Sequence, residues 1–189
     1  DSGLTWNTHI NVISKKVVRS IGILYKIRKI VNIDILKTLY YSLINSHLNY
    51  AIEAWGSADP THLNILLKQQ KRAVRMISLN DKRLDNYSFP LCNPIFNKLK
   101  NLKVHDLFKV RICKFIFNSL SNANPSNFHS WFRLTSEVHR HNTRSKVVNI
   151  DDHLFTRSIF IPTARTSHYG LKLTKVLGAK IWTDRPHPL

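Results

Sequence analysis

THINVISKKVVRSIGILYKIRKI, residues 8–30, is the stretch on which the reading of the fold turns. Ile10, Ile13, Val17, Ile21, Leu24 and Ile27 recur at spacings of three and four, the period of an amphipathic helix and not the two-residue period of a strand. At about 100° per residue, Lys15, Arg19, Lys26 and Lys29 fall in a stripe roughly 80° wide on the opposite side. One side of this helix seeks a core and the other a polyanion.

The pattern repeats outward from there. A second helix is expected from an Asn32 cap with Asp34 in its first turn, through Leu36, Leu39, Tyr40, Leu43 and Ile44 towards His47. The following residues stay apolar and aromatic to Trp55-Gly56, where a helix end and the heart of the core are expected. Asp59-Pro60 pairs an N-cap with proline at the first helical position and opens a third helix to about residue 79. Its apolar face is Leu63, Leu66, Leu67, Val74 and Ile77, and Lys68, Lys71, Arg72 and Arg75 lie within about 100° of one another on the other side. Gln70 lands in the middle of the apolar face, so its amide must bond backbone or a neighbouring helix.

Residues 80–94 read as a loop, followed by a short helical piece near 94–100 and a fourth long helix over 103–120 with little polar face. The Asn- and Ser-rich stretch 119–130 is the best linker candidate. Beyond it, 133–144 and 159–165 alternate as short strands do, and 172–182 reads as one more helix. The expected architecture is mainly α. A helical bundle occupies 1–80, a loop and buried helix over 81–121 complete its core, and 122–189 form a smaller mixed or irregular C-terminal region with a short β-hairpin and a helix.

Composition narrows the function. The 189 residues are 43% apolar and 21% charged, which fits a globular chain. Lys plus Arg number 29 against 11 Asp plus Glu, a formal charge of +18, and nucleic acid leads the polyanions such a balance implies. Two cysteines, Cys92 and Cys113, make neither a disulfide framework nor a zinc spacing and read as small hydrophobes in a reducing compartment. No apolar run approaches the roughly 20 residues of a membrane span. The opening Asp1-Ser2-Gly3-Leu4 has neither an initiator Met nor a signal pattern, so the visible N-terminus is expected to be a cut through a longer polypeptide.

Catalytic constellations are not legible. Asp151-Asp152 is the one adjacent acidic pair, and it lacks an aromatic residue two positions before it, where Asn149 stands. A solvated acidic pair is the ordinary reading, and no catalytic residue is assigned. His139 and His141 alternate as on one strand face, with no neighbouring Cys or acid to complete a metal set, and no metal ligand is assigned. There is no G-x-S-x-G elbow, Walker loop or G-x-G-x-x-G. Trp6, Trp55, Trp131 and Trp182 read as core residues ahead of base-stacking platforms. Arg144, beside Asn142 and Thr143, reads either as a backbone-contact cluster or as a loop cap. The candidate nucleic-acid-binding residues are therefore Lys15, Arg19, Lys26, Lys29, Lys68, Lys71, Arg72, Arg75 and Arg144. The two stripes line one groove if their helices pack side by side, and otherwise form two separate solvated faces.

Several strings in order resemble the region just beyond the palm in reverse transcriptases of non-LTR retrotransposons, especially the jockey-like group. They are Asp1, Leu4, Trp6, His9 and Ile10; then Leu39, Tyr40, Leu43 and Ile44; Trp55-Gly56; Gln70, Lys71, Arg72, Ala73 and Arg75; and His141-Asn142-Thr143-Arg144. Tyr169-Gly170 and Gly178-Ala179-Lys180-Ile181-Trp182 complete the series, which covers nearly the whole chain. The chain departs from the family pattern at Glu53, in a normally apolar run, and after Trp182, where Thr183-Asp184-Arg185 replace an Asn-x-Leu. The resemblance implies a thumb and C-terminal extension of an RNA-directed DNA polymerase, gripping RNA template, RNA–DNA hybrid or target DNA. It also implies a magnesium-dependent palm with fingers and an endonuclease upstream, and a nuclear location with a cytoplasmic ribonucleoprotein stage. The alternatives are an independent helical RNA-binding module of a ribonucleoprotein and a decayed copy of such an element.

Overall fold

The structure, a computed structural model, describes residues 5–78, 92–138, 158–166 and 170–184. Among them the chain is mainly helical and folds as a helical bundle. It divides into two compact units, Asp1–Phe108 and Lys109–Leu189.

In the first unit, helix α1 (Asn7–Ile27) buries Ile10, Ile13, Val17, Ser20, Ile21 and Leu24, the face that the three-and-four spacing marks. It stops short of the expected residue 30. The Arg28 N–H closes on the Leu24 carbonyl, and the Ile30 and Val31 N–H groups both turn back to the Ile27 carbonyl at 2.9 and 3.2 Å. That tightened turn delivers Asn32 to the start of α2 (Ile33–Tyr40), where its side chain accepts the Ile35 N–H at 3.0 Å. Asp34 sits in the first turn beside the positive end of the helix and pairs with Lys37 at 3.6 Å.

α2 continues into a π-helical segment, Tyr41–Asn45, and then α3 (Ser46–Asn49). Leu36, Tyr40, Ile44 and Leu48 are all almost fully buried, in steps of four residues. On an α-helix each such step overshoots a turn by about 40°, so three steps would spiral off the core. The wider π turn winds more slowly and keeps the row facing inward. The Ser20 hydroxyl stitches α1 to this segment, sharing its proton between the Lys16 and Leu43 carbonyls at 3.1 Å each. The helix then breaks at Ala51, which has a φ of 49°, and a single turn, α4 (Ile52–Trp55), places Trp55 in the core with its indole N–H on the Tyr50 carbonyl at 2.7 Å.

Helix α5 (Pro60–Ser78) starts as its cap signal predicts, the Asp59 carboxylate accepting the Thr61 N–H at 2.8 Å. Leu63, Leu66, Ala73, Val74 and Ile77 are buried, and so is Gln70, with no exposed surface. Its amide N–H groups donate to the Tyr40 hydroxyl at 3.0 Å and the Leu102 carbonyl at 2.8 Å, and its carbonyl accepts the Val104 N–H at 3.0 Å. This one side chain satisfies a first-turn N–H of α7 (Val104–Leu120) and ties α7 and α2 to α5. The expected loop 80–94 falls mostly outside the described residues, and α6 (Cys92–Lys98) provides the short helical piece.

Burial lifts the Tyr40 phenol from 10.0 to about 12, against the opposing pull of its hydrogen bond from Gln70. The unfolded chain therefore loses this proton first. The stability held by neutral Tyr40 is complete below pH 10 and drains as pH climbs towards 12, at about 1.4 kcal/mol per pH unit. Urea unfolding between pH 9 and 11.5 should show a shallower loss for Tyr40→Phe than for the parent chain; parallel curves would refute the assignment.

α7 begins in the first unit and belongs to the second from Lys109 on; its composition predicts burial nearly all round, and that is not what it shows. Ile112, Ile116 and Ser119 face inward, Phe115 and Phe117 are half-buried and Val110 is exposed, because the apolar residues exceed what one stripe can cover. Phe115 meets Phe128, Trp131 and Phe132 edge-on at 5.3 to 6.4 Å. The stretch 119–130 is an internally bonded corner: the Asn124 amide donates to the Phe115 carbonyl at 3.0 Å and to Ser119 Oγ at 2.7 Å, and a His129 ring nitrogen lies 2.6 Å from the Asn124 carbonyl. Among the described residues the alternating segments meet in one antiparallel bridge, Leu134 with Ile159, and α8 (Thr135–Val138) follows it at once; the rest of the expected hairpin, from 139 to 157, lies outside the described residues. The last helix, α9 (Thr174–Thr183), buries Val176, Ala179 and Trp182 and brings Gly178 against Ile112, Ile116 and Phe132.

Candidate nucleic-acid interface

The predicted cations divide between two helices that lie against each other. Of all the elements in the first unit, α1 and α5 share the most extensive contact. The Gln69 amide donates to Ser14 Oγ at 2.6 Å across that contact. On α1, Lys15, Arg19 and Lys26 are exposed; on α5, Lys68, Arg72 and Arg75 are exposed and Lys71 is half-buried. Ser14 and Gln69 mark the side on which each helix touches the other. Counting about 100° per residue from them, the α1 cations lie about 100° to 140° around and the α5 cations about 60° to 160° around. Most of both stripes thus points away from the contact, Arg72 lying nearest to it at about 60°, with one stripe on each of two adjoining helices.

Lys29 departs from its expected place. Because α1 ends at Ile27, Lys29 is exposed in the turn that follows and is not part of the helical stripe. Arg144 lies outside the described residues, as do His139, His141 and the Asp151-Asp152 pair. Two cations escaped the sequence reading. Lys16, next to Lys15, is exposed beside the stripe. The Arg28 guanidinium sits 4.4 Å from the centre of the Tyr25 ring, a cation–π stack that three-residue helical spacing foreshadows.

The electrostatics are one-sided. Neither α1 nor α5 contains an Asp or Glu. None of the seven helical stripe cations has a carboxylate partner among the described residues. Along α5, Thr61, Asn64, Leu67, Lys68 and Lys71 border an open hollow of about 310 Å³. Gln69 Oε1 is buried without a partner at the edge of the α1–α5 contact.

Aromatic side chains contribute packing. Trp55 and Trp182 are each 1% exposed. Trp6, half-buried, meets His9 edge-on at 6.0 Å, and His9 in turn tilts against Trp55 at 5.9 Å. Trp131 is half-buried in the Phe115 cluster.

No protein-family model, curated protein or solved structure matches the chain. Among the described residues no three His, Cys, Asp or Glu side chains converge, so none is assigned to a metal ion. No helix of the described residues is long and apolar enough to cross a membrane.

Proposed function

We propose that this chain grips a nucleic-acid duplex by its backbone, as the non-catalytic thumb region of an RNA-directed DNA polymerase of a non-LTR retrotransposon. The observation that carries the reading is the pair of adjoining, acid-free helices whose stripe cations are exposed, save the half-buried Lys71. Exposed cationic rows repel themselves and are stabilised when phosphates replace water and salt. An RNA–DNA hybrid is recognised mainly through shape, 2′-hydroxyls and phosphates, contacts suited to lysine and arginine on rigid helices. The palm with its magnesium ions, the fingers and the endonuclease belong, in this reading, to preceding parts of the same polypeptide, and the assembly works in the nucleus after a cytoplasmic ribonucleoprotein stage.

Lys15→Glu combined with Arg19→Glu should weaken binding to a hybrid duplex whatever its sequence, and should flatten the slope of log affinity against log salt by about 2. Fluorescence anisotropy with two unrelated hybrids over a salt series measures both quantities. An unchanged slope removes α1 from the interface. Equal affinity for single-stranded RNA and for the hybrid would favour the alternative of a stand-alone RNA-binding module.

A further inference from the structure

The outward face of α1 holds a residue that the packing does not explain. Gly22 lies inside this 21-residue helix, is exposed, and a Cβ built on it meets nothing within 4 Å among the described residues. A glycine in a helix interior costs stability relative to alanine, through the freedom its backbone loses on folding. Neither a turn nor a positive φ calls for one here.

The neighbours of Gly22 on the helix surface, three and four residues away, are Val18, Arg19, Tyr25 and Lys26. Val18 and Tyr25 are 46% and 58% exposed, apolar or aromatic side chains left in solvent on one flank. Arg28 stacks on Tyr25 and steadies its ring. On the other flank stand Arg19 and Lys26, both exposed, with Lys15 one turn further along. At about 100° per residue, Gly22 lies within about 60° of all three cations, so it forms the floor of a notch in the middle of their stripe.

We propose that Gly22 keeps this notch open so that one strand of a duplex seats its sugar–phosphate backbone directly against α1. Lys15, Arg19 and Lys26 hold its phosphates, and ribose faces lie on Val18 and Tyr25. Absence of a side chain is what lets another backbone approach this closely. Lys15 and Lys26 are eleven steps apart, about 16 Å of helix, and each strand of a duplex carries a phosphate about every 3.4 Å along the axis, so several fall within that length. With four cations and no acid on α1, charge complementarity selects a polyanion over a protein helix. The proposal rests on the duplex-gripping reading and assigns its closest point of contact.

The test uses the full chain, a labelled RNA–DNA hybrid, thermal melting and sedimentation velocity, with Gly22→Ala, Gly22→Leu and Arg19→Glu. Gly22→Ala should raise Tm by about 2–4 °C, since helix propensity improves and nothing is displaced. Gly22→Leu should also raise Tm while weakening hybrid binding at least tenfold, which separates lost contact from lost folding. If the parent chain binds, Arg19→Glu weakens it and Gly22→Leu binds as tightly as the parent, the notch is overturned and the reading of the stripe stands. If the parent chain does not bind the hybrid, the reading fails and the notch fails with it. A lower Tm for Gly22→Leu would make Gly22 structural and overturn the proposal. So would a parent dimer that Gly22→Leu dissolves without changing hybrid affinity, which would make the notch a docking place for a second copy.

Discussion

Gln70→Leu should lower the stability of the first unit by about 3 kcal/mol while leaving hybrid affinity at low temperature nearly unchanged. Leucine has a similar volume, so the loss comes from polar groups and not from a cavity. The Leu102 carbonyl, the Val104 N–H and the Tyr40 hydroxyl would each lose their bond to Gln70 within the core, and a buried polar group without a partner costs about 1–3 kcal/mol. For a chain of this size that is a fall of about 10 °C in Tm. Gln70 lies on the buried side of α5, facing Tyr40 and the start of α7, so folding and the proposed binding would draw on different sides of one helix. A melt matching the parent chain would show that the network contributes nothing net, and hybrid affinity lost without a change in Tm would move Gln70 into the interface.

Gly56→Ala is expected to do comparable harm for a steric reason. A Cβ there would stand 2.2 Å from a carbon of the Phe108 ring and 2.6 Å from the Ile52 carbonyl oxygen, whose bond to the Gly56 N–H at 2.7 Å closes the Trp55 turn. The ring can give way, but the carbonyl cannot move without unwinding α4. Overpacking of this kind costs about 1–3 kcal/mol, and two simultaneous clashes place it at the upper end. Urea denaturation would detect it as a lower midpoint. Gly56→Ala paired with Phe108→Leu should recover part of the loss, and no recovery would mean that the backbone contact dominates.

Much of the bundle could be read from the residues because it follows from local rules. The three-and-four spacing of Ile10 to Leu24 placed the buried side of α1, and Asn32 and Asp59 fixed two helix starts through hydrogen bonds that span only two or three residues. Gln70 was legible as a polar group that interrupts an apolar face. Its partners were not, since Leu102 and Val104 are more than thirty residues away. Ile30 continued the helical period past the true end of α1, and only the turn that reaches Asn32 decides where the helix stops. Ala51, with no glycine to announce it, adopts a left-handed conformation that propensity does not foresee. The alternation in 133–144 and 159–165 described half-exposed chain well but gave no pairing, and one bridge is what it became among the described residues.

The candidate site divides in the same way. Which residues are charged, and on which side of each helix, follows from counting. That α1 lies against α5 and not elsewhere depends on packing that spans the unit, of which the Ser14–Gln69 bond is one trace. The glycine at position 22 is distinguished by what surrounds it in the fold, since no described atom lies within 4 Å of a Cβ placed there.

The Gln70 clasp also governs how this chain may be dissected. Both charged helices are complete by Ser78, which invites excising a short peptide to study them alone. Such a peptide would carry an amide stripped of two of its three partners and would lack the phenyl ring that fills the space over Gly56. The minimal autonomous fragment must reach at least Phe108, well past Arg75, the last cation it is meant to display.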